Sequence, residues 1–258
     1  MVKELDDFYL ERDKNTNAIS LDKSLSKDAN TFMQNSGKYK YTYNFDWLGR
    51  PIIQFPQDIV VLQELFFKVK PTLYIETGIA HGGSSIFAAS MMSLLDIYEG
   101  LTDIRDSKRK VISIDIDIKS HNKTLISDHP FSRYINLIEG SSTSSETVDQ
   151  VKEIYNQLDS PTVMVSLDSN HTADHVYQEL SLYANLVTLN SYCIVWDTSI
   201  EFDEDAVHSQ RPWGAGNSPL TAINQWIPDN SSFKIDHKIS DKLLITVAPS
   251  GFLKRVSY

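Results

Sequence analysis

The chain reads as a doubly wound α/β protein: a largely parallel sheet covered by helices on both faces, closed by a terminal antiparallel hairpin and preceded by an N-terminal cap or arm. Three observations predict this. Short apolar runs alternate with helical segments from "TLYIE" to "SYCIVWD". Those runs are too uniformly apolar for a sheet with one wet face, so helices must cover both. The last two β-rich stretches, "SSFKIDHKI" and "LLITVAPSGFLKRV", are separated by a short loop only, which requires antiparallel pairing.

Residues 1–45 are polar and weakly periodic, and are expected to form an arm or cap with one helix, placed over a site or against a second copy of the chain. Residues 46–258 then form one domain, which suits a chain of 258 residues. Within it, Pro56-Gln57-Asp58 is a helix start, and Ile59, Leu62, Leu65 and Phe66 follow at helical spacing, with the helix ending before Pro71. The series continues as strand "TLYIE", helix "SSIFAASMMSLLDIY" and strand "KVISIDID", then strand "INLIE" and helix "SETVDQVKEIYNQL". Strand "TVMVSLD", helix "HVYQELSLYANLV" and strand "SYCIVWD" complete it. The connection "EGLTDIRDSKRK" is long and polar, and its basic run Ser107–Lys110 reads as a solvated loop.

Composition removes several function classes. With 34 acidic against 24 basic residues the net charge is −10, which opposes a phosphate-tracking surface for nucleic acid or an anionic membrane. A single cysteine, Cys193, forms no internal disulfide, and its neighbours "SYCIVW" place it in a buried strand. The first residues lack the apolar core of a secretory signal, and no run of about 18 apolar residues occurs. A cytoplasmic setting without a membrane span is expected. A small-molecule substrate fits, and the N-terminal arm leaves room for self-association into a homo-oligomer.

The segment "LYIETGIAHGGSS" ends an apolar strand in Glu76 and then places three glycines and two serines within nine residues. In a doubly wound sheet, ligands bind beyond the carboxyl ends of the strands, where the topology switches direction. Gly78, Gly82 and Gly83 would let backbone approach such a ligand, and Ser84 and Ser85 open the following helix. The spacing matches neither the dinucleotide fingerprint nor a P-loop. Glu76 would repel a pyrophosphate but suits a cationic ligand, such as the sulfonium and ammonium of S-adenosylmethionine. At the next strand tip Asp115, with Asp117 as the alternative, would accept both ribose hydroxyls. Gly140, Ser141 and Ser142 would border the adenine edge; a plain turn is the competing reading for each of these segments.

Two further strand tips carry Asp168 and Asp197, and adjacent tips place both carboxylates on the rim of the glycine turn. Two carboxylates converging with water and substrate oxygens suit a hard divalent cation, most simply Mg²⁺. His171, three residues after Asp168, is the expected general base, with His175 one helical turn further on supporting it; His175 and Glu201 are expected on the substrate side. The Gly- and Pro-rich stretch "HSQRPWGAGNSP" reads as a lid or substrate wall, with Arg211 and Trp213 suited to a sugar's hydroxyls and C–H face.

Taken in order, "WLGRPIIQFPQD", "YIETGIAHGGSS", "ISIDIDIKSHN", "SLDSNHTADHVYQELSLYANLV", "VWDTSIE" and "RPWGAGNSPLTAINQWI" resemble the cephalosporin hydroxylase family, which includes rhamnosyl O-methyltransferases. The resemblance spans Asp46 to Trp226. It implies a class I, Rossmann-like S-adenosylmethionine-dependent methyltransferase fold and transfer of a methyl group to a hydroxyl of a sugar or small polar natural product, with Mg²⁺ assistance. A looser similarity to catechol O-methyltransferase concerns the metal rim: Asp168 and His171 match an Asp ligand and a Lys base at the same spacing, and Asp197-Thr198 matches an Asp-Asn ligand pair. Thr198 is thus the implied further ligand, with Glu201 or water as substitutes. Trp196 stands where the cephalosporin member carries Glu. Two alternatives stay open: a metal-independent O- or N-methyltransferase with His171 as base, and a non-catalytic cofactor-binding subunit of a partner enzyme.

Overall fold

The computed structural model of the chain describes residues 2–203 and 210–258. Two helices come first, α1 (Val2–Leu21) and α2 (Lys23–Gly37), where the sequence suggested one. The break is Asp22, whose carboxylate accepts from the Ser24 and Leu25 amides and so caps a new helix. A 3₁₀ turn at Tyr41–Asn44 leads into a small hairpin, β1 (Asp46–Trp47) and β2 (Arg50–Pro51).

From there the elements are α3 (Pro56–Val69), β3 (Leu73–Thr77), α4 (Gly83–Tyr98), β4 (Lys110–Asp115), α5 (Ser120–Ser127), β5 (Ile135–Glu139) and α6 (Ser145–Asn156). The chain continues through β6 (Val163–Leu167), α7 (Ala173–Tyr183), β7 (Tyr192–Val195), α8 (Pro219–Trp226), β8 (Phe233–Ile235), α9 (His237–Leu243) and β9 (Phe252–Arg255). Among the described residues seven strands form one sheet in the order β5-β4-β3-β6-β7-β9-β8. The first five are parallel, and β9 runs antiparallel to both neighbours. The closing pair is antiparallel as expected, but its connection is not a short loop. Residues read as strand from "HKI" to "LLITVA" form α9 and a following loop, because Ile239 alone is buried from that helix while its other positions are partly wet. Helix α5 was not anticipated; its short segment carries only Ile126 and Asn122 as buried residues.

Strand parity divides the core. Leu73, Ile75, Ile112, Ile114, Val163, Val165, Cys193 and Val195 pack against α6, α7 and α8. The alternate residues Tyr74, Val111, Met164, Tyr192 and Ile194 pack against α3, α4 and α9. Cys193 is fully buried, as its neighbours imply, and burial pushes its thiol far above the usual range. Among the described residues no helix is long and apolar enough to cross a membrane.

The Ser107–Lys110 run is not simply a solvated loop. Arg109 is 5% exposed and donates to Asp96 Oδ1 at 2.9 Å, Glu99 Oε2 at 2.5 Å and the Pro71 carbonyl at 2.5 Å, joining α4 to the start of β3. Asp96 also accepts from the Tyr134 hydroxyl at 2.8 Å. Breaking a buried pair strands the remaining charge, at about 3–5 kcal/mol. Arg109→Ala is therefore expected to lose stability on that scale in urea unfolding, whereas Lys108→Ala, at an exposed position, should stay close to wild type.

Candidate active site: an acid–histidine cluster between two cavities

The sheet order places the switch in direction between β3 and β6, and the site lies at their carboxyl ends. Gly78 follows β3 with φ +80°, and a Cβ there would lie 2.0 Å from the Asp168 carbonyl oxygen. The Asp168 amide in turn donates to the Thr77 carbonyl at 2.9 Å. Only glycine lets the β3 turn close onto the β6 tip in this way. Gly83 is equally constrained, since a Cβ would meet the Pro51 carbonyl oxygen at 2.1 Å, which holds the small hairpin against the start of α4.

Asp168, His171 and Asp197 form one cluster, with a candidate ligand atom of each within 4.8 Å of the others. His171 Nε2 lies 3.2 Å from Asp197 Oδ2. Asp197 takes the left-handed conformation (φ 56°), one that Asp tolerates better than most residues. Burial, then the negative charge of Asp197, raises the Asp168 carboxyl well above the usual range. A cation would relieve that repulsion, so the donor set fits a hard divalent ion.

Two cavities meet at this cluster. One, of about 360 Å³, is lined by Gly78, Ile79, Gly83, Ser84, Asp115, Asp168 and Ser169. It shares Gly78, Asp115 and Ser169 with a recess of about 170 Å³ lined by Gly140, Ser141, Ser142 and His175. The second cavity, about 460 Å³, is walled by Lys40, Tyr41, Phe55, Arg211 and Trp213. Thr42, Tyr43, His171 and Asp197 line both large cavities. His171 also stands edge-on to Trp213, with ring centroids 4.8 Å apart, and Arg211 lies over the same indole at 5.3 Å.

The first cavity and its recess suit an elongated nucleoside ligand. Asp115 is held by the Ile79 amide on Oδ2 (3.0 Å) and the Asp117 amide on Oδ1 (3.2 Å), each oxygen keeping acceptor capacity for a diol. Asp117 itself is exposed and paired with Lys119, and does not line the cavity. Gly82 is the left-handed residue preceding α4 and packs over Ile126 rather than facing the cavity.

Several expected positions are corrected by geometry. Glu76 does not reach the open cavity: strand parity turns it toward α4, where Oε1 accepts from Ser85 Oγ at 2.5 Å and Ser113 Oγ at 2.6 Å. Burial raises its carboxyl, while the serine hydroxyls lower it. Thr198 cannot act as a metal ligand here, because it is fully buried and its hydroxyl donates to the Pro249 carbonyl at 2.7 Å. Glu201 instead accepts from Ser218, Thr221 and the Gly216 amide, fastening the start of α8. His175 is not on the acceptor side; its Nε2 lies 3.1 Å from Ser142 Oγ and 3.2 Å from Ser169 Oγ, in the nucleoside-side recess. Trp196 is buried and donates to Ser166 Oγ at 2.7 Å, so its ring does not fill the cluster. His208 and Ser209 of the lid stretch lie outside the described residues.

The sequence placed the N-terminal arm over a site but did not single out the residues that form its wall. Tyr41 packs on Phe32, Phe45 and Phe55, with centroids 5.2–5.9 Å apart, which fixes Lys40, Thr42 and Tyr43 beside the cluster. The signal was the aromatic density of "KYKYTYNFDW" in an otherwise polar arm. Asp58 was also missed, because an acid in a first helical turn reads as a cap. It is fully buried, and its Oδ2 accepts from the Val247 amide at 3.0 Å, while the Val247 carbonyl accepts from the Ser199 amide at 3.1 Å. Asp58 thus braces, through residue 247, the turn that carries Asp197.

Burial pushes the Asp58 carboxyl up to about 7, against hydrogen bonds from Thr246 and Val247 that lower it. The folded state therefore holds this proton more tightly than the unfolded chain, and the stabilisation it gives below pH 4 is lost as pH rises through 7. In chelator, Asp58→Asn should gain stability relative to wild type at roughly 1 kcal/mol per pH unit between pH 5 and 7. Urea unfolding at both pH values checks this; an unchanged difference would show that Asp58 ionises normally.

Residues 39–256 match the family model described as rhamnosyl O-methyltransferase/CmcI. A rhamnosyl O-methyltransferase of Mycobacterium tuberculosis is 28% identical over 194 residues, covering 75% of this chain and 71% of that protein. Its counterpart from Mycobacterium leprae is 28% identical over 213 residues, covering 81% and 82%. Among solved structures, CmcI with Mg and SAM superposes with TM-score 0.52 at 14% identity, over 83% of this chain and 78% of that one. A CmcI apo-structure gives 0.53 at 16%, over 84% and 78%. The superpositions place the sheet and its helices in the same Rossmann-like fold, and the family match, which covers most of the sequence, makes this chain a member of the rhamnosyl O-methyltransferase/CmcI family.

Proposed function

We propose that the protein is an S-adenosylmethionine-dependent O-methyltransferase acting on a hydroxyl of a sugar or comparable small polar natural product. The observation that carries this reading is the shared border of the two cavities: His171 and Asp197 line both, so a ligand in each would present its reacting atom at one cluster. The family's named activity agrees. In this reading residues 1–45 are a cap that walls the acceptor side, and residues 46–258 are the catalytic domain.

Asp115 holds the cofactor's ribose, Ser141, Ser142 and His175 border its base, and the Gly83 and Ser84 amides at the start of α4 face its amino-acid end. Glu76 acts from beneath, fixing α4 and β4 to β3. Asp168 and Asp197 would hold a divalent cation, which when bound would lower the pKa of an acceptor hydroxyl. His171, held by Asp197 and packed against Trp213, would receive the acceptor's hydroxyl proton, while bound S-adenosylmethionine would supply the methyl group and leave as S-adenosylhomocysteine when its S–CH₃ bond breaks. Tyr41, Tyr43 and Trp213 offer flat faces to the acceptor ring.

The 3.2 Å contact between His171 and Asp197 also supports a metal-free dyad, in which the carboxylate orients and strengthens the base. Asp168→Asn and Asp197→Asn separate the two readings. Under the metal reading each variant loses methyl transfer by at least 100-fold, still binds S-adenosylhomocysteine in the micromolar range, and binds Mn²⁺ more weakly in electron paramagnetic resonance. Full activity in Asp168→Asn, or indifference of the wild type to chelator, removes the metal. His171→Gln should abolish the acidic limb of the pH–rate profile, where the base is lost to protonation, while leaving Mn²⁺ affinity intact; loss of Mn²⁺ binding would make His171 a ligand instead.

A further inference from the structure

The acceptor cavity does not end at the N-terminal wall. It shares Ser199 and Asp203 with a further cavity of about 330 Å³ between α2 and α9. That volume is within the usual range for a ligand site. One face of α2, Ser26, Asn30, Met33 and Gln34, lines it, and Ser36 and Gly37 of the same helix line the acceptor cavity. Opposite stands one face of α9, His237, Ser240 and Asp241, continued by Leu244 just past its end. These are helical spacings (i, i+4, i+7, i+8 and i, i+3, i+4), so two helix faces confront each other across an open gap.

The chemistry of the lining narrows the occupant. Among the described residues the side chains of Asn30, Gln34, His237 and Asp241 have no hydrogen-bond or ion-pair partner. They present both donors and acceptors to the cavity. Met33, Phe202 and Leu244 add apolar surface between them. Neither Lys nor Arg lines the cavity, whereas Asp203 and Asp241 do, which opposes a phosphate or other anion. A neutral polyol with alternating hydroxyl and C–H surface matches this lining.

We infer that the cleft between α2 and α9 is an acceptor subsite for a second neutral sugar unit attached to the ring that is methylated, so that the substrate is an oligosaccharide rather than a single sugar ring. This rests on the O-methyltransferase reading. The specificity of the enzyme would then depend on the N-terminal helices, which contribute no group to the acid–histidine cluster.

The test uses the full chain saturated with S-adenosylhomocysteine on an array of neutral oligosaccharides and the methyl glycosides of their terminal sugars. Retention on one or more oligosaccharides at least tenfold above the corresponding monosaccharide is expected. Asn30→Trp and Gln34→Trp, both at exposed positions of α2, should each abolish that preference by filling the cleft while leaving cofactor affinity within twofold. Equal retention of monosaccharide and oligosaccharide, unaltered preference in both variants, or no glycan retained by a protein that binds S-adenosylhomocysteine overturns the subsite alone. Failure of the wild type to bind S-adenosylhomocysteine overturns the reading beneath it.

Discussion

The site depends on one close approach: the backbone of Gly78 lies against the backbone of Asp168 with no room for a single carbon between them. This contact joins the turn that borders the cofactor cavity to the strand tip that carries the acid–histidine cluster. It exists because β3 and β6 are neighbours although β4 and β5 intervene in sequence, so the crossover returns the chain to the central strand. A side chain at residue 78 would force the two tips apart and separate the cavities that His171 and Asp197 now join.

The second constraint is electrostatic. Asp58, Glu76 and Asp168 are all raised by burial, and Asp197 adds repulsion to Asp58 and Asp168. Such a concentration of acids would be unstable without compensation. Glu76 has serine hydroxyls, Asp58 has a backbone amide and a hydroxyl, and among the described residues Asp168 has only the Gln54 amide at 3.4 Å. The poorest compensation therefore falls at the cluster itself, where an external cation can supply it.

Most of the fold was legible because the sheet is parallel and buried on both faces, which writes each strand as an apolar run. Legibility failed where burial is slight: α5 and α9 each bury little of their surface, and α1 is almost wholly exposed. The tips holding Asp168, His171 and Asp197 could be named because strand ends converge in this topology. Glu76 was assigned the wrong surroundings, although parity with Tyr74 already turns it toward α4. Thr198 and Glu201 were carried over from spacing alone, and spacing could not reveal that a carbonyl and a helix start had claimed them. The arm was expected over a site, but its wall residues Lys40 to Tyr43 could not be named because their contacts are aromatic rather than periodic.

The central claim is that two cavities meeting at the acid–histidine cluster take S-adenosylmethionine and an acceptor under divalent-cation control. Calorimetric titration with S-adenosylmethionine and S-adenosylhomocysteine, each in Mg²⁺ and in chelator, tests it most directly. Micromolar binding of both, with an affinity or heat that changes between Mg²⁺ and chelator, is the expected result. No binding of either in both conditions would mean that the glycine turn after β3 serves only the packing of β3 on β6, and the account of the site would be contradicted.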